Sequence, residues 1–196
     1  MSVQVRSVEK MIDFSTHLQG FFSCVAKDEI EIYNEFSLQH EYGVYLRARL
    51  SPTFKVQFER PVSFFGLVRS DFVKKEIDLA VFSTDLSEKY AFEFKYPRSG
   101  QYPEQMFKAC QDIRFLEQLC HSGFVRCFFV MVADDPLFYE SGGKTGIYRH
   151  FRTSVPIHGH IQKPTGAKDD AVEISGNYQV IWNAVDSRKY TVVEVG

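Results

Sequence analysis

Long apolar runs are missing from this chain of 196 residues. None approaches the roughly eighteen apolar residues of a membrane-spanning helix. The opening stretch, 1–10, also lacks the apolar centre of a secretory signal. Cysteine is sparse: Cys24, Cys110, Cys120 and Cys127 sit in apolar contexts without paired or metal-type spacing. That pattern argues against a disulfide framework or a zinc module and predicts buried free thiols and a cytoplasmic location, with no membrane partner. An excess of positive charge is lacking too, since 23 Lys and Arg face 25 Asp and Glu for a net charge of −2. A global basic footprint is excluded, so any phosphate-binding surface must be local. Internal repeats and low-complexity tracts are also absent.

Aromatic and apolar residues are plentiful. Hydrophobic residues make up 44% of the chain, with 19 Phe and 10 Tyr, which suits one well-cored α/β domain over 1–196. Two segments read as buried strands, 75–82 and 89–96. Along the second, alternation puts Glu93 and Lys95 on one face and Phe92, Phe94 and Tyr96 on the other. If the strands pair, Asp78 joins the charged face near the strand ends. Two carboxylates converging with a lysine can hold a divalent metal and activate water. A solvated edge hairpin carries similar charges, but Ile77, Leu79, Val81, Ala91, Phe92 and Phe94 imply cover on at least one face, where bare charges are costly.

Before these strands, 29–50 has apolar residues at helical spacing, with Leu38, Tyr42, Tyr45, Leu46 and Leu50 inward. Glu35 lies one turn before Leu38 on that stripe, either near the charged face or as an acid favoured in a helix's first turns. After them, Pro97 to Gly100 breaks the strand and Pro103 opens a helix through 104–119. Segment 124–133 is apolar at nearly every position and reads as a central strand covered on both faces. Strand, crossover helix and central strand make a parallel βαβ unit.

The order helix with Glu35, strand, strand with Asp78, strand with Glu93-Phe94-Lys95, helix and buried strand resembles the PD-(D/E)XK, or restriction-endonuclease-like, nuclease core. The resemblance covers about 28–133 and departs at Ile77, where the family often has proline. It implies an α/β fold with a mixed central sheet flanked by helices, an N-terminal helical addition (3–26) and a C-terminal β-rich addition (134–196). It implies a metal-dependent nuclease, with DNA more expected than RNA as substrate and a homodimer or protein partner possible. Asp78 and Glu93, with the Phe94 carbonyl, would hold Mg²⁺ or Mn²⁺. Lys95 would be the catalytic lysine and Glu35 the helical acid, with Glu41 as the other choice. Lys75, Arg98, Lys108 and Gln111 would face substrate, and Asp112 could line the same cleft. A silent scaffold of the same fold, or an unrelated interaction domain, remains the competing expectation.

Other basic residues (Arg47, Arg49, Lys55, Arg60, Arg69, Lys74, Lys144, Arg149 and Arg152) either flank one cleft or are scattered. Met11, Phe14, Leu18, Phe21 and Phe22 mark 7–25 as an amphipathic helix, packed on the core or at a dimer contact. Segment 141–145 lacks the first glycine of a phosphate loop and reads as an ordinary loop. His158 and His160 share one strand face without a third ligand nearby. Segments 171–182 and 189–195 read as strands of a hairpin around Asp186-Ser187-Arg188.

Overall fold

A computed structural model describes residues 11–98, 100–140, 143, 145–166 and 170–196. In chain order it contains α1 (Phe14–Ala26), α2 (Glu35–Arg47), β1 (Phe54–Pro61), β2 (Glu76–Ser83), β3 (Lys89–Lys95), α3 (Tyr102–His121), β4 (Arg126–Ala133), α4 (Tyr148–Arg152), β5 (Ile157–Gln162), β6 (Ala171–Tyr178), β7 (Asn183–Val185) and β8 (Arg188–Val195). Six strands form one mixed sheet in the order β1-β2-β3-β4-β8-β7, and β5 and β6 make a separate pair. Only β3 and β4 run parallel, joined by α3 as the predicted crossover. The architecture is α/β.

The sheet is buried on both faces. On one, α1 and α2 press Phe14, Leu18, Phe21, Tyr42 and Leu46 against Leu79, Val81, Phe92, Phe94 and Phe128. The rings meet mostly edge-on or tilted, as Phe14 does with Tyr90 at 4.8 Å and with Phe92 at 5.1 Å. Thus α1 spends its apolar face inside its own chain. Residues 7–10 of the expected helix lie outside the described part, and α1 itself begins at Phe14 behind an Asp13 cap. On the other face, α3 and the β5–β6 pair bury Ile77, Ala91, Met106, Cys110, Ile113, Cys127, Phe129 and Ile174. All four cysteines are free thiols. Cys110 and Cys127 are buried, whereas Cys24 and Cys120 are half-buried.

Several boundaries differ from expectation. The second helix begins at Glu35 rather than 29, because Asn34 closes a capping box: its side chain accepts from the Ser37 amide at 2.7 Å, and the Ser37 hydroxyl accepts from the Asn34 amide at 3.0 Å. The first C-terminal strand ends at Tyr178 and pairs with β5, while the hairpin around Asp186 is made by β7 and β8. β8 then extends the main sheet beside β4, so β4 is central. Residues 141, 142 and 144 of the glycine-rich loop, including Lys144, lie outside the described part.

Candidate active site

The sheet opens where the charges gather. β2 and β3 pair from Phe82–Lys89 up to Leu79–Phe92, and the ladder stops one step before Asp78 and Glu93. On the other side of β2, Glu59 sits at φ +48°, so β1 is also distorted opposite Asp78. Side chains replace the missing rungs. The Asp78 amide donates to Glu93 Oε1 at 3.2 Å, the Phe94 amide donates to Asp78 Oδ2 at 2.9 Å, and the Gln39 amide group donates to the Asp78 carbonyl. Gln39 also donates to Glu59 Oε1 at 2.8 Å. Each acid therefore satisfies the backbone of the strand opposite.

From the α3 side a third acid enters. Asp112 is buried, with Oδ1 3.1 Å from Lys74 Nζ and Oδ2 3.1 Å from Lys95 Nζ. Oδ2 has a charge contact but no hydrogen-bond geometry. Lys74 reaches in from the loop before β2, contacts the fully buried Glu93 carboxylate directly and lies 3.5 Å from Asp78 Oδ1. Lys95 Nζ also donates to the Phe94 carbonyl at 3.0 Å and lies 3.4 Å from Glu35 Oε1. Glu35, the first residue of α2, accepts from the Tyr96 amide at 3.1 Å.

Four carboxylates (Glu35, Asp78, Glu93 and Asp112) thus share two ammonium groups. Burial raises the Asp78 and Glu93 pKa values, against the pull of Lys74; for Glu93 the Asp78 charge adds to the rise. Burial works against charge on both lysines but is outweighed. Glu93, Asp112 and Asp78 hold Lys74 protonated, and Asp112 and Glu35 do so for Lys95, with both pKa values raised.

The four residues Asp78, Glu93, Lys95 and Glu35 are therefore neighbours, with the Phe94 carbonyl beside Lys95. Glu41 is elsewhere, 3.2 Å from its exposed neighbour His40. Arg98 and Lys108 line an open groove of about 470 Å³ that reaches Glu35 and Lys95. Lys75 lies on the surface, and it is its neighbour Lys74 that reaches the acids. Gln111 is absent from the groove lining. The helical stripe facing it is Gln105 and Lys108, leading to Asp112 at i, i+3 and i+7, and Gln111 lies off that line.

Asp112, expected as a possible lining residue of the cleft, and Lys74, expected either beside the cleft or scattered, both stand inside the cluster, and Gln39 is the neighbour that the sequence did not single out. For Asp112 and Gln39 the available signal was a polar residue on an otherwise apolar helical stripe. Several other basic residues are engaged locally. Arg47 donates to the Val56 carbonyl at 2.9 Å, and Arg49 and Arg60 lie over the Tyr45 and Phe64 rings at 3.6 and 4.1 Å. Arg152 donates to the Gly143 carbonyl at 3.0 Å. His158 Nδ1 is 2.7 Å from the Gly176 carbonyl and His160 is 3.5 Å from Glu173, which gives the two histidines separate partners.

In donor type and charge the cluster suits a hard divalent cation, which prefers carboxylate and carbonyl oxygens. In spacing it is drawn in around Lys74. Among the described residues no three His, Cys, Asp or Glu side chains stand ready to share one ion. Among them, too, no helix is long and apolar enough to cross a membrane. No protein-family model matches the chain, and no curated protein or solved structure gives a match, so a functional reading rests on the chemistry of this cluster.

Proposed function

We propose that the chain is a metal-dependent nuclease that hydrolyses phosphodiester bonds, in DNA by preference, on a restriction-endonuclease-like core. The observation that carries this reading is the charge imbalance at the open end of β2 and β3. Four acids face two ammonium groups there; Glu35 is half in solvent, but Asp78, Glu93 and Asp112 are enclosed. Without a further cation their surplus charge is relieved by holding protons on the buried acids, as the raised Asp78 and Glu93 pKa values express. A divalent cation meets that deficit, whereas a purely structural ion-pair network gains by being balanced. Asp78, Glu93 and the Phe94 carbonyl would hold Mg²⁺ or Mn²⁺, with Asp112 alongside and Lys74 displaced from their midst. When bound, the ion would supply a Lewis acid for phosphate oxygens and a more acidic water.

The remaining chemistry belongs to the chain. Lys95, kept protonated by Asp112 and Glu35, is a fixed positive charge for the phosphate as negative charge builds on it. Glu35 orients Lys95 and accepts from the Tyr96 amide, which fixes the strand end against α2. The groove beyond, with Arg98 and Lys108, gives a strand of nucleic acid a way in.

The test is incubation of purified protein with linear, circular and single-stranded DNA in Mg²⁺ or Mn²⁺, beside Lys95→Ala. Metal-dependent cleavage lost in the variant supports the reading, and cleavage that survives removes the role given to Lys95. A second reading, a silent scaffold, is favoured by Lys74, whose ammonium already contacts the three inner acids. Calorimetric titration separates the two, because a scaffold binds no Mg²⁺ at millimolar concentration.

A further inference from the structure

Next to the charge cluster, the outer surface of α2 carries aromatic rings where a soluble helix usually carries charge. Phe36 is 69% exposed and Tyr33, just before the helix, is 58% exposed. Phe36 lines the same 470 Å³ groove as Glu35 and Lys95. Its ring is backed by others. Phe36 lies nearly parallel to His40, with centroids 6.1 Å apart and planes at 14°. His40 lies nearly parallel to Phe58, 6.0 Å apart at 20°. Because Phe36 and His40 are four residues apart on one helix face, the backbone fixes the spacing of this stack. At the other lip, Arg98 is held by the Tyr33 carbonyl and by Asp134, 3.4 Å from its Nε, and lies over the Tyr96 ring at 5.4 Å. Lys108 completes the basic wall.

We propose that this groove binds an unpaired nucleotide of a single-stranded nucleic acid. The base would stack on Phe36 and the backbone phosphates would meet Arg98 and Lys108, beside the site described above. The proposal rests on the nuclease reading for what happens to the strand, and it adds the substrate form. A flat, apolar, pre-oriented ring beside cations fits an exposed base with its charged backbone, and stacking of this kind tolerates any base. Bases inside a duplex are already stacked on each other, so Phe36 has no face to meet there. The volume also suits a single nucleotide-sized ligand better than a helix.

The experiment measures binding without cleavage. Full-length protein in EDTA is titrated into a fluorescein-labelled single-stranded deoxyoligonucleotide, the matching blunt duplex, and a single strand carrying one 2-aminopurine. The single strand should bind more tightly than the duplex by tenfold or more, and the 2-aminopurine emission should be quenched. Phe36→Ala should weaken single-strand binding by about 5- to 100-fold and abolish the quenching, while Phe36→Tyr retains both. Since Phe36 is exposed, Phe36→Ala should melt with the parent protein, and the melting curve checks this. Equal affinity of Phe36→Ala and parent, or preference for the duplex, overturns the proposal. The two readings fail separately: Phe36-dependent strand binding without cleavage in Mg²⁺ rejects the nuclease, while cleavage indifferent to Phe36→Ala rejects the stacking site.

Discussion

Helix α3 buries two acids five residues apart, Asp112 and Glu117, and they are treated in opposite ways. Glu117 accepts from the Gly176 amide at 2.6 Å, the Ser175 amide at 3.2 Å, the Tyr178 hydroxyl at 3.1 Å and Arg114 at 3.1 Å. Neutral donors on β6 fill its lone pairs, and its one cation is a neighbour on the same helix. It is a fastener between α3 and the small β5–β6 sheet. Asp112 has the Lys74 and Lys95 ammonium groups as its ion-pair partners among the described residues, and its Oδ2 makes no hydrogen bond there. A buried acid supplied with directional donors is complete as it stands; one met only by the charges of two lysine side chains, among other acids, has acceptor capacity left over. On the proposed reading, the Asp112 end of the helix serves the chemistry and the Glu117 end holds the fold together.

That contrast can be broken by substitution. The largest effect is expected on cleavage: Lys95→Ala should lower the single-turnover rate about 10²- to 10⁴-fold, whereas Glu117→Gln should leave the rate per folded molecule unchanged. Glu117→Ala should cost about 3 kcal/mol in urea denaturation, because it leaves the Ser175 and Gly176 amides, the Tyr178 hydroxyl and Arg114 without their acceptor, and Mg²⁺ should not restore it. Lys74→Met should cost about 2 to 3 kcal/mol in EDTA by stripping Glu93 and Asp112 of a counter-ion, and millimolar Mg²⁺ should recover much of that. Failure of Mg²⁺ to rescue it would place both ends of the helix in the structural class.

A pH series sharpens the same point. Glu93 and Asp78 have folded pKa values raised above those of the free side chains, mainly by burial. The folded protein therefore holds protons that the unfolded chain has released, and stability falls as pH rises from the ordinary carboxylate range toward the raised values. Glu93→Gln should flatten that slope above the ordinary carboxylate range, read from urea denaturation at a series of pH values. The smallest effect is expected far from either acid: Asn34→Ala should cost about 1 kcal/mol through the α2 cap.

Much of this was written in one dimension. The alternation of β3 and the apolar run of β4 are local signals, and they located Glu93, Lys95 and the parallel pair. The long-range parts were not local. Lys74 reads as one of several cations, beside a cleft or scattered, until the loop before β2 turns it inward, and Asp112 reads as a helix residue that could line the cleft, with nothing local to name both lysines as its partners. The β5–β6 pairing also escaped, since nothing within either segment names its partner. The Asn34 cap uses Ser37 where a capping box usually has glutamate or glutamine, which hid the true start of α2.

The splayed strands have a consequence for how the protein could be watched in solution. Ordinary strand amides resist deuterium because a neighbouring carbonyl holds them, and that grip ignores pH short of unfolding. The amides of Asp78 and Phe94 are held by side-chain carboxylates instead. Their protection therefore varies with what those carboxylates are bound to, proton, ammonium or ion. Two backbone positions at the open end of β2 and β3 become built-in gauges of the site's occupancy, readable by exchange without a substrate or a turnover.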